Sequence, residues 1–144
     1  MMFDEDDVDF LRLTDRQFEE ACFDLLLSLG YRGLTWRTGG ADGGRDIEGR
    51  QVVSTPLVGA YEENWFFECK RYREGVPADA LNSKIAWADA ERPKHLAILA
   101  SSHLTHGARE WLAKVAPLKP YAIHVVEGKA LRRLFAANPE IVSR

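Results

Sequence analysis

The chain has 144 residues, 46% of them apolar and 28% charged, with a formal net charge of −3. This is the size and balance of a single globular domain with room for a core, and its acidity argues against a generic nucleic-acid coat. No apolar run approaches a membrane span, and no basic region followed by an apolar one opens the chain as a signal peptide would.

Residues 4 to 9 hold five acids and no base, which reads as a solvated acidic tail over residues 1–13 ahead of one domain over 14–144. Thr14-Asp15-Arg16-Gln17 is a capping box, and Phe18, Ala21, Cys22, Leu25, Leu26 and Leu29 then repeat at helical spacing until Gly30. Glu19 lies at the edge of that apolar stripe, whereas Glu20 lies on the opposite face, so Glu19 is the acid placed to reach an interior site. Tyr31 to Arg37 alternates as a first strand, with Leu34 and Trp36 on one face.

The turn Gly39-Gly40-Ala41-Asp42-Gly43-Gly44 then delivers Asp46 to a second strand through Val53. It is not a phosphate-binding loop, because Arg45-Asp46 stands where Lys and then Ser or Thr would be needed. Glu48 shares the Asp46 face as an auxiliary acid or a solvent-facing strand residue. Residues 54 to 63, with Pro56 and Gly59, read as an irregular loop.

A third strand, Trp65-Phe66-Phe67-Glu68-Cys69-Lys70, carries Glu68 and Lys70 on one face with Phe66 and Tyr72, and Trp65, Phe67 and Cys69 on the other. Charges on an aromatic strand are seldom buried unless paired or bound to metal. Two carboxylates supply hard oxygen ligands for Mg²⁺, and a lysine beside them can orient water and balance phosphoryl charge. Asp46, Glu68 and Lys70 therefore suit phosphodiester hydrolysis. The ordinary alternative is an aspartate at a turn and a Glu–Lys pair at a strand edge.

Downstream, Arg71 and Arg73 add positive charge, and Pro77 opens a helix striped by Leu81, Ile85 and Ala88, with Lys84 one residue off the stripe. Leu96 to Ala100 is a central strand, Thr105 to Ala116 a helix, Tyr121 to Val126 a last strand, and Gly128 to Ala137 a basic helix exposing Lys129, Arg132 and Arg133. The expected architecture is α/β: a central mixed sheet flanked by helices, with an antiparallel meander followed by βαβ units. Cys22 and Cys69 fall on core faces without a disulfide or zinc pattern, which fits a reducing, cytoplasmic setting. His103-x-x-His106 lacks metal-ligand partners, and Ser101-Ser102-His103 lacks a nucleophile elbow.

Gly43-Gly44-Arg45-Asp46-Ile47 followed by Phe67-Glu68-Cys69-Lys70-Arg71-Tyr72, with Phe18-Glu19 and Leu29-Gly30-Tyr31 upstream, resembles the Mrr-type restriction endonuclease domain of the PD-(D/E)XK nuclease superfamily. The resemblance runs from about Thr14 to Leu134. It departs in the long interval between Asp46 and Glu68, which looks like a loop insertion. It implies a restriction-endonuclease-like fold and a Mg²⁺-dependent DNA endonuclease, with Mn²⁺ as a substitute ion. Asp46 and Glu68 would bind the metal, Lys70 would place the attacking water, and Glu19 would support the site. Arg71, Arg73 and Lys84 are the candidate DNA contacts. A homodimer, a partner protein or a fused domain would supply specificity. A Holliday-junction resolvase and a catalytically silent DNA-binding or assembly module remain the alternatives.

Overall fold

The computed structural model describes residues 5–38 and 45–141, so the glycine-rich turn over 39–44 lies outside the described residues. The first helix, α1 (Asp15–Ser28), starts at the expected capping box: Gln17 N–H donates to Thr14 Oγ1 and Thr14 N–H to Gln17 Oε1. It ends at Gly30, whose φ of +96° is open to glycine and strained for other residues.

Among the described residues five strands follow, in the spatial order of the sequence: β1 (Arg32–Thr38), β2 (Arg45–Thr55), β3 (Gly59–Lys70), β4 (His95–Ala100) and β5 (Ala122–Glu127). The first three pair antiparallel, and β3–β4 and β4–β5 pair parallel. Parallel neighbours need crossovers, which are α2 (Asn82–Glu91) and α3 (His106–Val115); α4 (Gly128–Ala136) follows β5 directly. The expected mixed sheet between helices is the observed one. At Gly49 of β2, a Cβ would stand 2.5 Å from Leu34 Cδ2, so a larger residue there would have to displace the Leu34 side chain of β1.

Alternation along β3 splits the core in two. Phe67, Trp65 and Cys69 join α1, Ile47 and α4 on one face. Phe66 joins Leu81, Ile85, Ala88 and the α3 residues Ala108 and Leu112 on the other. β4 is buried along almost its whole length, as a central parallel strand must be. Cys22 and Cys69 are both free and buried; contact with Cys22, then burial, holds the Cys69 thiol well above its ordinary pKa.

Three expectations are corrected. Residues 54–63 are not an irregular loop: β2 and β3 stay paired out to Ser54–Ala60 and Thr55–Gly59, so the long interval is an extended hairpin. Helix α2 begins at Asn82 rather than at Pro77, after a short 3-10 turn over Ala78–Ala80. The acidic N-terminal segment is not a solvated tail among its described residues. Two 3-10 turns, Glu5–Asp7 and Phe10–Arg12, bury Val8 and Phe10. Phe10 packs edge-on against Phe18 and Phe135, and Glu5 pairs with Lys129 and Arg133 of α4. The apolar residues set among the acids, and the basic helix opposite them, give this segment a place to dock.

Candidate active site

Asp46, the second residue of β2, lies one residue before the Ile47–Phe67 pair, so it stands across from Glu68 on the neighbouring antiparallel strand. Ile47 and Phe67 turn toward α1, which turns Asp46 and Glu68 toward α2. Lys70 follows Glu68 on the same face. Its place is fixed from β4: Ser101 N–H donates to the Lys70 carbonyl, while Ser101 Oγ accepts from Tyr72 N–H and donates to the Tyr72 carbonyl. These contacts hold the end of β3 where the chain leaves the sheet.

The fourth member comes from α2. Lys84 is 4% exposed and reaches down onto the sheet. Its Nζ lies 3.0 Å from Asp46 Oδ1 and 3.7 Å from Glu68 Oε2, while Lys70 Nζ lies 3.1 Å from Glu68 Oε1. Helix α2 is pinned for this reach. Trp87 stacks on Phe66 at 3.9 Å, and Tyr121 OH donates to Asp89, which also pairs with Lys119. Lys84, one residue off the apolar stripe and a DNA contact by sequence, shares one helical face with Leu81, Ile85 and Ala88. That spacing was the signal for an inward lysine.

Two carboxyls and two ammonium groups, all nearly buried, thus share one centre. Burial and the neighbouring Asp46 carboxyl push Glu68 from an ordinary 4.5 up to about 8, against the pull of Lys70 and Lys84. Asp46 Oδ1 and Glu68 Oε2 are buried and accept no directed hydrogen bond among the described residues; Lys84 meets them as a charge. Convergent, undersatisfied carboxylate oxygens suit a small hard cation. Mg²⁺ commonly takes one or two carboxylates, with water and phosphate oxygens completing its shell. Among the described residues, no group of three or more His, Cys, Asp or Glu side chains forms a closed metal cage. Two carboxyl oxygens fit an ion whose remaining positions water and phosphate fill.

The remaining candidates sit apart from this centre. Glu19 is half-buried on α1, the helix packed on the other face of the sheet, where its charge reaches the Cys69 thiol. Glu48 faces the same side as Asp46 but is engaged by Arg37, which also holds Glu91 and lies over the Trp87 ring. Arg71 is held by Asp15 and the Leu11 carbonyl, while Arg73 is exposed. A polar pocket of about 390 Å³ opens further along the same face between Arg37, Glu48, Arg50, Asn64 and Glu91, beyond the carboxylate pair.

Comparison with known proteins gives the same direction. The Mrr_cat family, described as a restriction endonuclease, matches residues 10–135. No curated protein matches the chain. Among solved structures, it is similar to the DNA modification-dependent restriction endonuclease AspBHI, with a TM-score of 0.67 and 19% identity over 87% of this chain and 33% of that one. It is similar also to the MspJI restriction endonuclease in complex with a 27-mer oligonucleotide, with a TM-score of 0.51 and 13% identity over 87% and 28% of the two chains. The AF1548 protein of unknown function gives 0.50 and 12% over 85% and 66%. The chain thus spans about a third of the length of AspBHI and less of MspJI. At these identities the structures speak for the fold, and the family match speaks for descent. The chain belongs to the Mrr_cat restriction endonuclease family.

Proposed function

We propose that this domain is a Mg²⁺-dependent DNA endonuclease, the cutting part of a restriction or defence system, with Mn²⁺ able to substitute. Family membership supports a DNA nuclease. The observation that carries the finer reading is the convergence of buried Asp46 Oδ1 and Glu68 Oε2 beside Lys70.

Asp46 and Glu68 would hold the ion, which supplies Lewis-acid stabilisation of phosphoryl charge and a more acidic bound water. The chain's own groups do the rest. Lys70, fixed through Glu68 and the Ser101 clamp, orients the attacking water and faces the scissile phosphate with positive charge. Burial of the carboxyls strengthens every charge interaction at the centre. Glu19, on the α1 face of the sheet, would act on the centre only through its charge. Arg73, with Arg71 once released from Asp15, meets flanking phosphates, and such contacts position DNA without reading its sequence. One site per chain suits two copies, a partner protein or a fused domain acting together on duplex DNA. The setting is the cytoplasm, where the free, buried thiols of Cys22 and Cys69 would stay reduced.

The test is conversion of supercoiled plasmid by the purified chain in Mg²⁺, Mn²⁺ or EDTA. Nicking or linearisation with either ion and none with EDTA is expected. Equal cleavage in EDTA, or none with either ion across protein concentrations, would defeat the reading.

A further inference from the structure

Lysine 84 has no place in the reaction outlined above, yet it is more deeply buried than Lys70 and closer to Asp46 than any other cation among the described residues. The four groups divide their contacts unequally. Lys70 holds the outer oxygen of Glu68, Oε1, at 3.1 Å. Among the described residues, Lys84 alone spans both carboxyls, 3.0 Å from Asp46 Oδ1 and 3.7 Å from Glu68 Oε2. Among the described residues, those are the two buried carboxyl oxygens that accept no directed hydrogen bond, and on the metal-site reading they face the ion. The ammonium comes from a separate element, on a long flexible stem, so it can leave without moving the strands that carry the carboxylates. Lys70, two residues from Glu68 on the same strand, meets Oε1 and not the pair of facing oxygens.

We propose that Lys84 is the resident counter-cation of the carboxylate pair, standing where the divalent ion binds, so that ion and ammonium compete for the same oxygens. The inference rests on the metal-site reading and adds a regulatory step to it. Without the ion, Lys84 keeps two buried carboxyls from facing each other uncompensated. With the ion, the displaced ammonium turns outward toward the DNA backbone, so loading the metal also presents a positive charge to the phosphate. The ion must therefore outcompete a tethered charge to bind.

Mn²⁺ titrations of wild type and Lys84→Met, followed by the electron-spin signal of the free ion at one fixed alkaline pH, test this. Methionine keeps the stem's volume and removes the charge. The variant is expected to bind Mn²⁺ about tenfold tighter or more. In parallel, acetylation of wild type read by mass spectrometry should show Lys84 protected without Mn²⁺ and labelled with it, relative to exposed Lys114. Unchanged or weaker binding by a folded variant overturns the inference and leaves the metal site standing. Labelling of Lys84 that saturating Mn²⁺ does not alter overturns it as well, whether or not the variant folds. Absence of Mn²⁺ binding in both proteins defeats the metal-site reading, and this inference with it.

Discussion

Glu68 concentrates the physics of the site in one titration. Folded, it keeps its proton up to about pH 8, whereas an unfolded glutamate releases it near 4.5. Between those values the native chain binds more protons than the unfolded one. This group's stabilisation is therefore complete below 4.5 and is lost as pH rises through about 8. Thermal melts in EDTA from about pH 5 to about pH 9 should show stability falling, by on the order of a few kcal/mol from this residue. Glu68→Gln should flatten that slope and melt above wild type at the alkaline end; a parallel decline in both proteins would place the titrating group elsewhere. Metal affinity should move the other way, rising with pH as the ion displaces the Glu68 proton. Lys70→Ala removes an ammonium that is not a ligand, so it should abolish cleavage while Mn²⁺ binding, read by calorimetry, persists. Wild-type cleavage by that variant would end the water-positioning role.

Among the elements, β3 was the most legible. Its period-two alternation of aromatics and charges gave both faces, and the structure places Phe66 and Phe67 in opposite cores as that pattern requires. Helix α1 was legible for the same reason, through its capping box and apolar stripe. The hairpin between Asp46 and Glu68 was not, because Pro56 and Gly59 mark a turn without saying how far the strands run on either side. Its tip exposes Leu57 and Val58, so Leu57→Ser with Val58→Ser should shift stability by no more than about 0.5 kcal/mol per residue in denaturant melts. Helix α2 was half legible. Its apolar stripe could be read, but a lysine on the buried face conflicts with the ordinary preference of lysine for water, and only the two carboxylates across the gap resolve it. Trp87 holds that helix on Phe66, so Trp87→Ala should cost about 3 kcal/mol or more and loosen the Lys84 contact. A denaturation midpoint unchanged from wild type would show that α2 is anchored by other means.

At the level of the whole molecule, the resemblance carried the fold further than composition could. A mixed sheet between helices fits many chemistries, whereas the spacing of Asp46, Glu68 and Lys70 on adjoining strands fits few. The turn over 39–44 that introduces Asp46 lies outside the described residues, so its part rests on sequence alone. On the basic helix α4, Lys129 and Arg133 are engaged by Glu5. With a net charge of −3, the isolated chain should bind DNA weakly, lose that binding steeply with salt, and cut with little sequence preference. Discrete, sequence-defined fragments from the chain alone at physiological salt would contradict that expectation. The most direct test of the central claim is the Mn²⁺-dependent cleavage rate of Asp46→Asn against wild type on supercoiled plasmid, both shown folded by circular dichroism. A carboxylate that holds the ion predicts a loss of about a hundredfold or more, comparable to removing a principal charge-stabilising group from other active sites. Equal rates would mean that Asp46 and Glu68 are a structural ion-pair cluster and that the chemistry lies elsewhere.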